Sequence, residues 1–216
     1  PTGPFTYRGY IVDNGVDYPG GNNHGSVACI NGQWYIFYHR MTNGTIASRR
    51  GCVEKITILP DGTIPPVEMT SLGFEDSLNP YEVTPADIAC VLKGGAFVTE
   101  KNVFDRVVTN IQDGSVIGYK YYDFGDDFGS KTMGFSAKIL GMGCDAVMHI
   151  LIDGEDGEEI GCCRIGHDSS AIHTIVKSVT GRHAVFFKIT TEYVGWMGEM
   201  FRGRNLFELC SFVFLK

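Results

Sequence analysis

Residues 20–29 read GGNNHGSVAC. His24 stands among residues of little bulk, just before an apolar run that begins at Val27. Small neighbours allow close backbone approach and leave room beside an imidazole for a ligand. The other reading is a turn histidine with one hydrogen bond. A second group lies in TTEYVGWMGEMFRGRN at 190–205, a glycine-punctuated loop with Tyr193, Trp196, Phe201 and Asn205. Flat aromatic faces stack on pyranose rings and amides bond hydroxyls, so Tyr193, Trp196 and Asn205 are candidate carbohydrate contacts. Met197 and Met200 make the same loop apolar, which suits an interface equally well. The acids of DGEDGE at 153–158 lack the alternating offsets and final bidentate glutamate of a calcium loop. They read as a solvated hairpin turn.

These groups must be positioned by strands. Helical periodicity is nearly absent from the 216 residues, and alternating or short apolar runs separated by Gly, Asn and Asp dominate. VACINGQWYIFYHR predicts a hairpin, because Asn31-Gly32 suits a type I′ turn. CVEKITILPDGTI adds a strand at 52–59 and a turn at Pro60-Asp61-Gly62, so residues 8–64 form an antiparallel meander. Trp34 and Tyr35 alternate along its central strand and read as core. The proline-containing stretch 65–85 is a connector. PADIACVLKGG at 85–95 predicts a short helix with Thr84 as N-cap, Pro85 at N1 and Gly94 as terminator. Strands then recur at the intervals of a β-sandwich: AFVTE, SVIGYKYYDFG, TMGFSAKIL, AVMHILID, EEIGCCRIG, HTIVKSVT, HAVFFKIT and LFELCSFVFL.

The bulk numbers narrow the function classes. A net charge of −7 argues against a nucleic-acid partner, with ASRRG at 47–51 the one basic candidate and an ion-pairing strand its plainer reading. No apolar stretch approaches the about 20 residues that cross a bilayer, so no membrane partner is expected. Seven cysteines cannot all pair within the chain and include no C-x-x-C. Most sit among apolar residues and read as small buried hydrophobes, which leans toward a reducing environment, cytoplasmic or secreted remaining open. PTGPFTYRGYIVDNG carries no initiator methionine and no leader pattern, so a truncated or processed chain is expected.

PTGPFTYRGYIVDN, NNHGSVACINGQWYIFYHR, SRRGCVE, DGTIPPVEMTSLG and LNPY together resemble the last stretch of a family 43 glycoside hydrolase, a five-bladed β-propeller. GYKYYDFG, AVMHILIDGEDGEEIG, VTGRHAVFFKI and LFELCSFVF more loosely resemble a family 6 carbohydrate-binding module, a β-sandwich jelly roll. The resemblance implies an all-β chain: a partial propeller (its last blade) with connector over 1–84, then the module over 85–216. It implies a parent that hydrolyses arabinose- or xylose-containing plant polysaccharides or oligosaccharides with inversion, using two carboxyl groups. Those carboxylates come from earlier blades, so no catalytic residue is assigned here, and Glu54, Glu68 and Glu75 stand in no catalytic motif of the family. The missing N-terminal propeller part, as upstream sequence or a separate chain, is then a partner beside plant cell-wall carbohydrate. His24 would face the propeller axis by the sugar pocket and a calcium ion, commonly through water. Arg49 would stand near the catalytic carboxylates, where a guanidinium lowers a carboxylate pKa, with a surface ion pair as the alternative. Arg50 should then point to the opposite face of a regular strand. His39 and Arg40 would line the rim. The family's tryptophan before a late strand is replaced by Ala171-Ile172, and its aspartate near the last strand by Cys210. A non-catalytic carbohydrate-binding or structural fragment is the alternative function.

Overall fold

A computed structural model describes residues 2–13, 24–42, 45, 49–127 and 129–216. Among them, three strands form the first sheet: β1 (Ser26–Ile30), β2 (Gln33–Arg40) and β3 (Arg50–Ile56), antiparallel in the order β1-β2-β3. Asn31 and Gly32 take φ of 52° and 85°, the positive values a tight hairpin turn demands. Ile36, Tyr38 and Ile56 form a small core against the connector residues Ile64, Val67 and Met69. The predicted turn is present, with Gly62 N–H donating to Leu59 O at 2.8 Å.

The connector runs without helix onto the second unit. Ser71 N–H reaches Lys120 O and Leu78 N–H reaches Tyr121 O, both at 2.8 Å. The chain then enters a β-sandwich. One sheet holds β5 (Val91–Lys93), β8 (Val116–Asp123), β10 (Ala146–Ile152), β11 (Glu158–Ile165) and β13 (Arg182–Thr190), in the order β11-β10-β13-β8-β5. The other holds β6 (Phe97–Glu100), β7 (Arg106–Thr109), β9 (Thr132–Gly141), β12 (Ala171–Lys177) and β14 (Phe207–Leu215), in the order β12-β9-β14-β7-β6. The two-residue β4 (Thr84–Pro85) pairs with β14, Thr84 opposite Phe212.

Alternation along the strands sends one face of each sheet inward. Tyr119, Phe135, Phe187, Phe212 and Phe214 meet between the layers, with Tyr119–Phe212 and Phe187–Phe212 centroids both 4.8 Å apart and their rings tilted edge to face. Burying each such ring contributes about 1.5–3 kcal/mol. In β14 the register shifts between Leu209 and Ser211, so Cys210 sits at an irregularity opposite β9. DGEDGE is a hairpin turn, joining β10 to β11.

Three expectations are corrected. Residues 85–95 form no α-helix: a 3-10 turn at Ala86–Ile88 leads straight into β5. Thr84-Pro85 belongs to one layer and Val91–Lys93 to the other, so the chain must cross between sheets. Local propensity yields to that pairing, and Cys90 N–H bonds Gly118 O at 2.9 Å. Conversely, the loop at 190–205 contains a seven-residue helix, α1 (Gly195–Phe201). Its two glycines conceal it, although Trp196, Met197, Glu199 and Met200 tolerate helix. The cysteines are all free, and only Cys90, Cys144 and Cys163 are buried; Cys162 is exposed because alternation along β11 turns it outward beside buried Cys163, and Cys29 because β1 is a sheet edge exposed along almost its whole length.

Candidate functional site

Antiparallel register gathers the candidates of the first sheet at one end. Ser26 lies opposite Phe37 and Arg40 opposite Arg50, so His24, His39, Arg40, Arg49 and Arg50 share the end away from the Asn31-Gly32 turn. His24 is exposed, its N–H donates to His39 Nδ1 at 3.4 Å, and the two rings are 5.6 Å apart. Asn23, one of the neighbours expected to let the backbone turn tightly before His24, lies outside the described residues. Calcium takes six to eight oxygen ligands. These imidazoles offer nitrogen, and among the described residues no cluster of three His, Cys, Asp or Glu could hold an ion. The described residues alone therefore do not fit a calcium site.

Arg49 is exposed and lines a cleft of about 450 Å³ between the first sheet and the sandwich. Arg40, Arg50, Asp87, Glu100 and Arg106 line it too. Arg50 thus faces the same cleft as Arg49. Strand β3 begins only at Arg50, so alternation does not separate the two. Arg40 is buried and donates from Nη2 to Cys90 O at 2.6 Å, tying the sheet's end to the sandwich. Val98 N–H adds a bond to Thr42 O at 2.7 Å. Arg50 reaches Glu100 at 2.8 Å and Asp87 at 3.6 Å. Asp87, Glu100 and Arg106 come from distant strands and turns, so no local sequence signal announces them. Tyr35 is buried, 5.3 Å from the Phe74 ring, while Trp34 is 40 % exposed.

Glu54, on β3, has a network of its own. Its Oε1 accepts from Thr70 N–H at 2.7 Å and Tyr38 O–H at 3.2 Å, and its Oε2 from Thr70 O–H at 2.7 Å. Burial raises its pKa from the ordinary carboxylate value against the lowering effect of those bonds and of Arg40. Glu68 instead joins the connector to the sandwich, accepting from Lys120 Nζ at 2.7 Å and Tyr121 O–H at 2.8 Å.

On the sandwich, the structure separates the three predicted sugar contacts. Tyr193 lines a cleft of about 470 Å³ with Asp145, Arg164, Glu192, Val194 and Met197. Its ring stacks on Phe201 at 4.2 Å, which covers one face, and its hydroxyl accepts from Asp145 N–H at 2.7 Å. Trp196 projects from α1, 73 % exposed. Asn205 faces inward: Oδ1 accepts from Ile111 N–H at 2.9 Å and Nδ2 donates to Thr109 Oγ1 at 3.1 Å. A further cleft of about 590 Å³, unforeseen in the sequence, lies on the face of the five-stranded sheet beside Glu68, Lys93, Lys120, Tyr121 and Glu155.

No protein-family model matches the chain. In sequence it is 43% identical to a xylosidase/arabinosidase of Thermoclostridium stercorarium over 157 residues, covering 57% of this chain and 33% of that protein. It is 30% identical over 211 residues to an arabinoxylan arabinofuranohydrolase of Bacillus subtilis (strain 168), covering 88% of this chain and 40% of that protein. The chain thus spans only a third to two fifths of the curated relatives it matches. Among solved structures, it resembles a family 43 arabinoxylan arabinofuranohydrolase from Bacillus subtilis, in complex with cellotetraose, with TM-score 0.61 and 28% identity, over 100% of this chain and 46% of that one. The fold of its sandwich is that of a family 6 carbohydrate-binding module from Clostridium cellulolyticum, in complex with xylose, with TM-score 0.52 and 23% identity, over 64% of this chain and 100% of the module.

Proposed function

We propose that this chain, which matches the C-terminal part of a family 43 glycoside hydrolase followed by a family 6-like module, works as part of an enzyme that removes arabinose or xylose units from plant arabinoxylan or its oligosaccharides. The observation that carries the reading is the alignment of the whole chain with part of one such enzyme, at 28% identity. Residues 1–84 act as the last propeller blade with its connector, and 85–216 as the module.

Hydrolysis with inversion needs an acid and a base about 6.5–9.5 Å apart. Glu54 is held by Tyr38 and Thr70, so it is a structural group here. The acid and base are supplied by the propeller part upstream. The blade end contributes a wall to that pocket: His24 presents a polar edge toward a sugar, and Arg49 donates to a carboxylate or hydroxyl. The module holds polysaccharide near the site, with Trp196 as stacking surface and Tyr193 in the adjoining cleft.

A second reading, a module that serves only as scaffold, is favoured by the covered face of Tyr193 and the inward amide of Asn205. Calorimetric titration with arabinoxylo-oligosaccharides separates the two. Heat of binding that falls in Trp196→Ala supports the sugar-binding module. No heat with the unaltered chain leaves a scaffold.

A further inference from the structure

The cleft at the blade end has a charge that runs against the rest of the molecule. Four arginines line it, Arg40, Arg49, Arg50 and Arg106, with two acids, Asp87 and Glu100. The whole chain carries −7. Asp87 Oδ2 stands 3.6 Å from Arg50 and 3.5 Å from Arg106, and Glu100 Oε1 stands 2.8 Å from Arg50 and 3.8 Å from Arg106. The two positive and two negative charges of that quartet face one another across the two units. Arg49 adds a charge the quartet does not use. Arg40 is already engaged with Cys90 O and with the field of Glu54 behind it. Burial and, after it, repulsion from Arg106 hold the Arg50 pKa below the ordinary arginine value, as a positive cleft would.

A guanidinium fork matches a planar carboxylate with two parallel hydrogen bonds, and a partly desolvated wall strengthens them. We propose that this cleft binds the carboxylate of an acidic sugar, a hexuronic acid carried as a substituent on the polysaccharide, between Arg49 and Arg106. Arg50, fixed by Asp87 and Glu100, positions the pair. The inference rests on the reading that the chain serves a polysaccharide-cleaving enzyme, and it adds a preference for acid-substituted backbone.

The test is calorimetry on the chain with four probes at matched ionic strength: a neutral xylo-oligosaccharide, the same oligosaccharide bearing one glucuronic acid, free glucuronate, and sulfate. The acidic oligosaccharide should bind about tenfold more tightly than the neutral one. Arg49→Gln and Arg106→Gln should each erase most of that advantage, and added salt should reduce it in the unaltered chain, which needs no variant to fold. Equal affinity for both oligosaccharides overturns the proposal and leaves the polysaccharide reading standing, as does a preference that survives both substitutions and salt. Sulfate binding as tightly as glucuronate also overturns it, since the site then selects charge alone. Heat with glucuronate but with neither oligosaccharide overturns the proposal and the polysaccharide reading together, since the carboxylate is then not taken as a substituent on a chain of sugars.

Discussion

Asn205→Ala separates an anchoring role from a sugar-binding one. The amide joins the entry of β14 to the end of β7. Its Oδ1 is the partner of Ile111 N–H, and Ile111 is fully buried. Its Nδ2 donates to Thr109 Oγ1, whose own hydroxyl donates to Glu208 Oε1 at 2.9 Å. Glu208, itself buried, pairs through Oε2 with Lys101 at 2.6 Å. Alanine leaves the Ile111 N–H without its acceptor, which costs about 1–3 kcal/mol, and removes one further hydrogen bond of about 1 kcal/mol. The expected loss is therefore about 2–4 kcal/mol. With an m-value of about 2 kcal/mol per molar urea, the unfolding midpoint should fall by about 1–2 M at unchanged m. Urea titration followed by circular dichroism measures it. A midpoint that moves by less than about 0.3 M, together with weaker oligosaccharide binding, would refute the anchoring role and return Asn205 to the ligand.

Other substitutions probe the remaining elements. Trp196→Ala should weaken oligosaccharide binding about fivefold, from an aromatic contribution near 1 kcal/mol, and leave the melting temperature in place, because the side chain is 73 % exposed; a lower melting temperature with unchanged affinity contradicts this. Gly118→Ala should destabilise by about 1–3 kcal/mol, since a Cβ there meets Phe186 Cε1 at 2.7 Å and Val91 Cβ at 3.0 Å; a neutral result in denaturant titration shows that Phe186 moves aside freely. Glu54 carries the pH prediction. Burial sets its folded-state pKa above the unfolded one, so the folded state holds the extra proton. Its contribution is therefore fully present below the unfolded pKa and declines as pH rises through the folded one. Subtracting Glu54→Gln stability from that of the unaltered chain over about pH 4–7 should give a difference that falls with pH, and a rising difference contradicts the assignment.

The hairpin at Asn31-Gly32 was legible because its turn chemistry is local: two adjacent residues accept positive φ and the flanking strands alternate. The later strands were legible for the same reason of period. β5 was not, since Val91–Lys93 is a strand only by pairing with β8, some twenty-five residues away. β7 was missed because Arg106–Thr109 is short and begins with a charge. At this end of the first sheet, the motif marked His24 and Arg49, but Asp87, Glu100 and Arg106 arrive through tertiary folding alone. Asn205 shows the converse limit. Its residue type suits a sugar contact, and only the inward turn of its amide reveals the bonds to Ile111 and Thr109.

Release of arabinose or xylose from arabinoxylan, assayed for this chain alone and for the chain joined to the propeller part proposed to precede it, tests the proposed division of labour most directly. The account predicts turnover only with the upstream part present. Sustained hydrolysis by these 216 residues alone would contradict it.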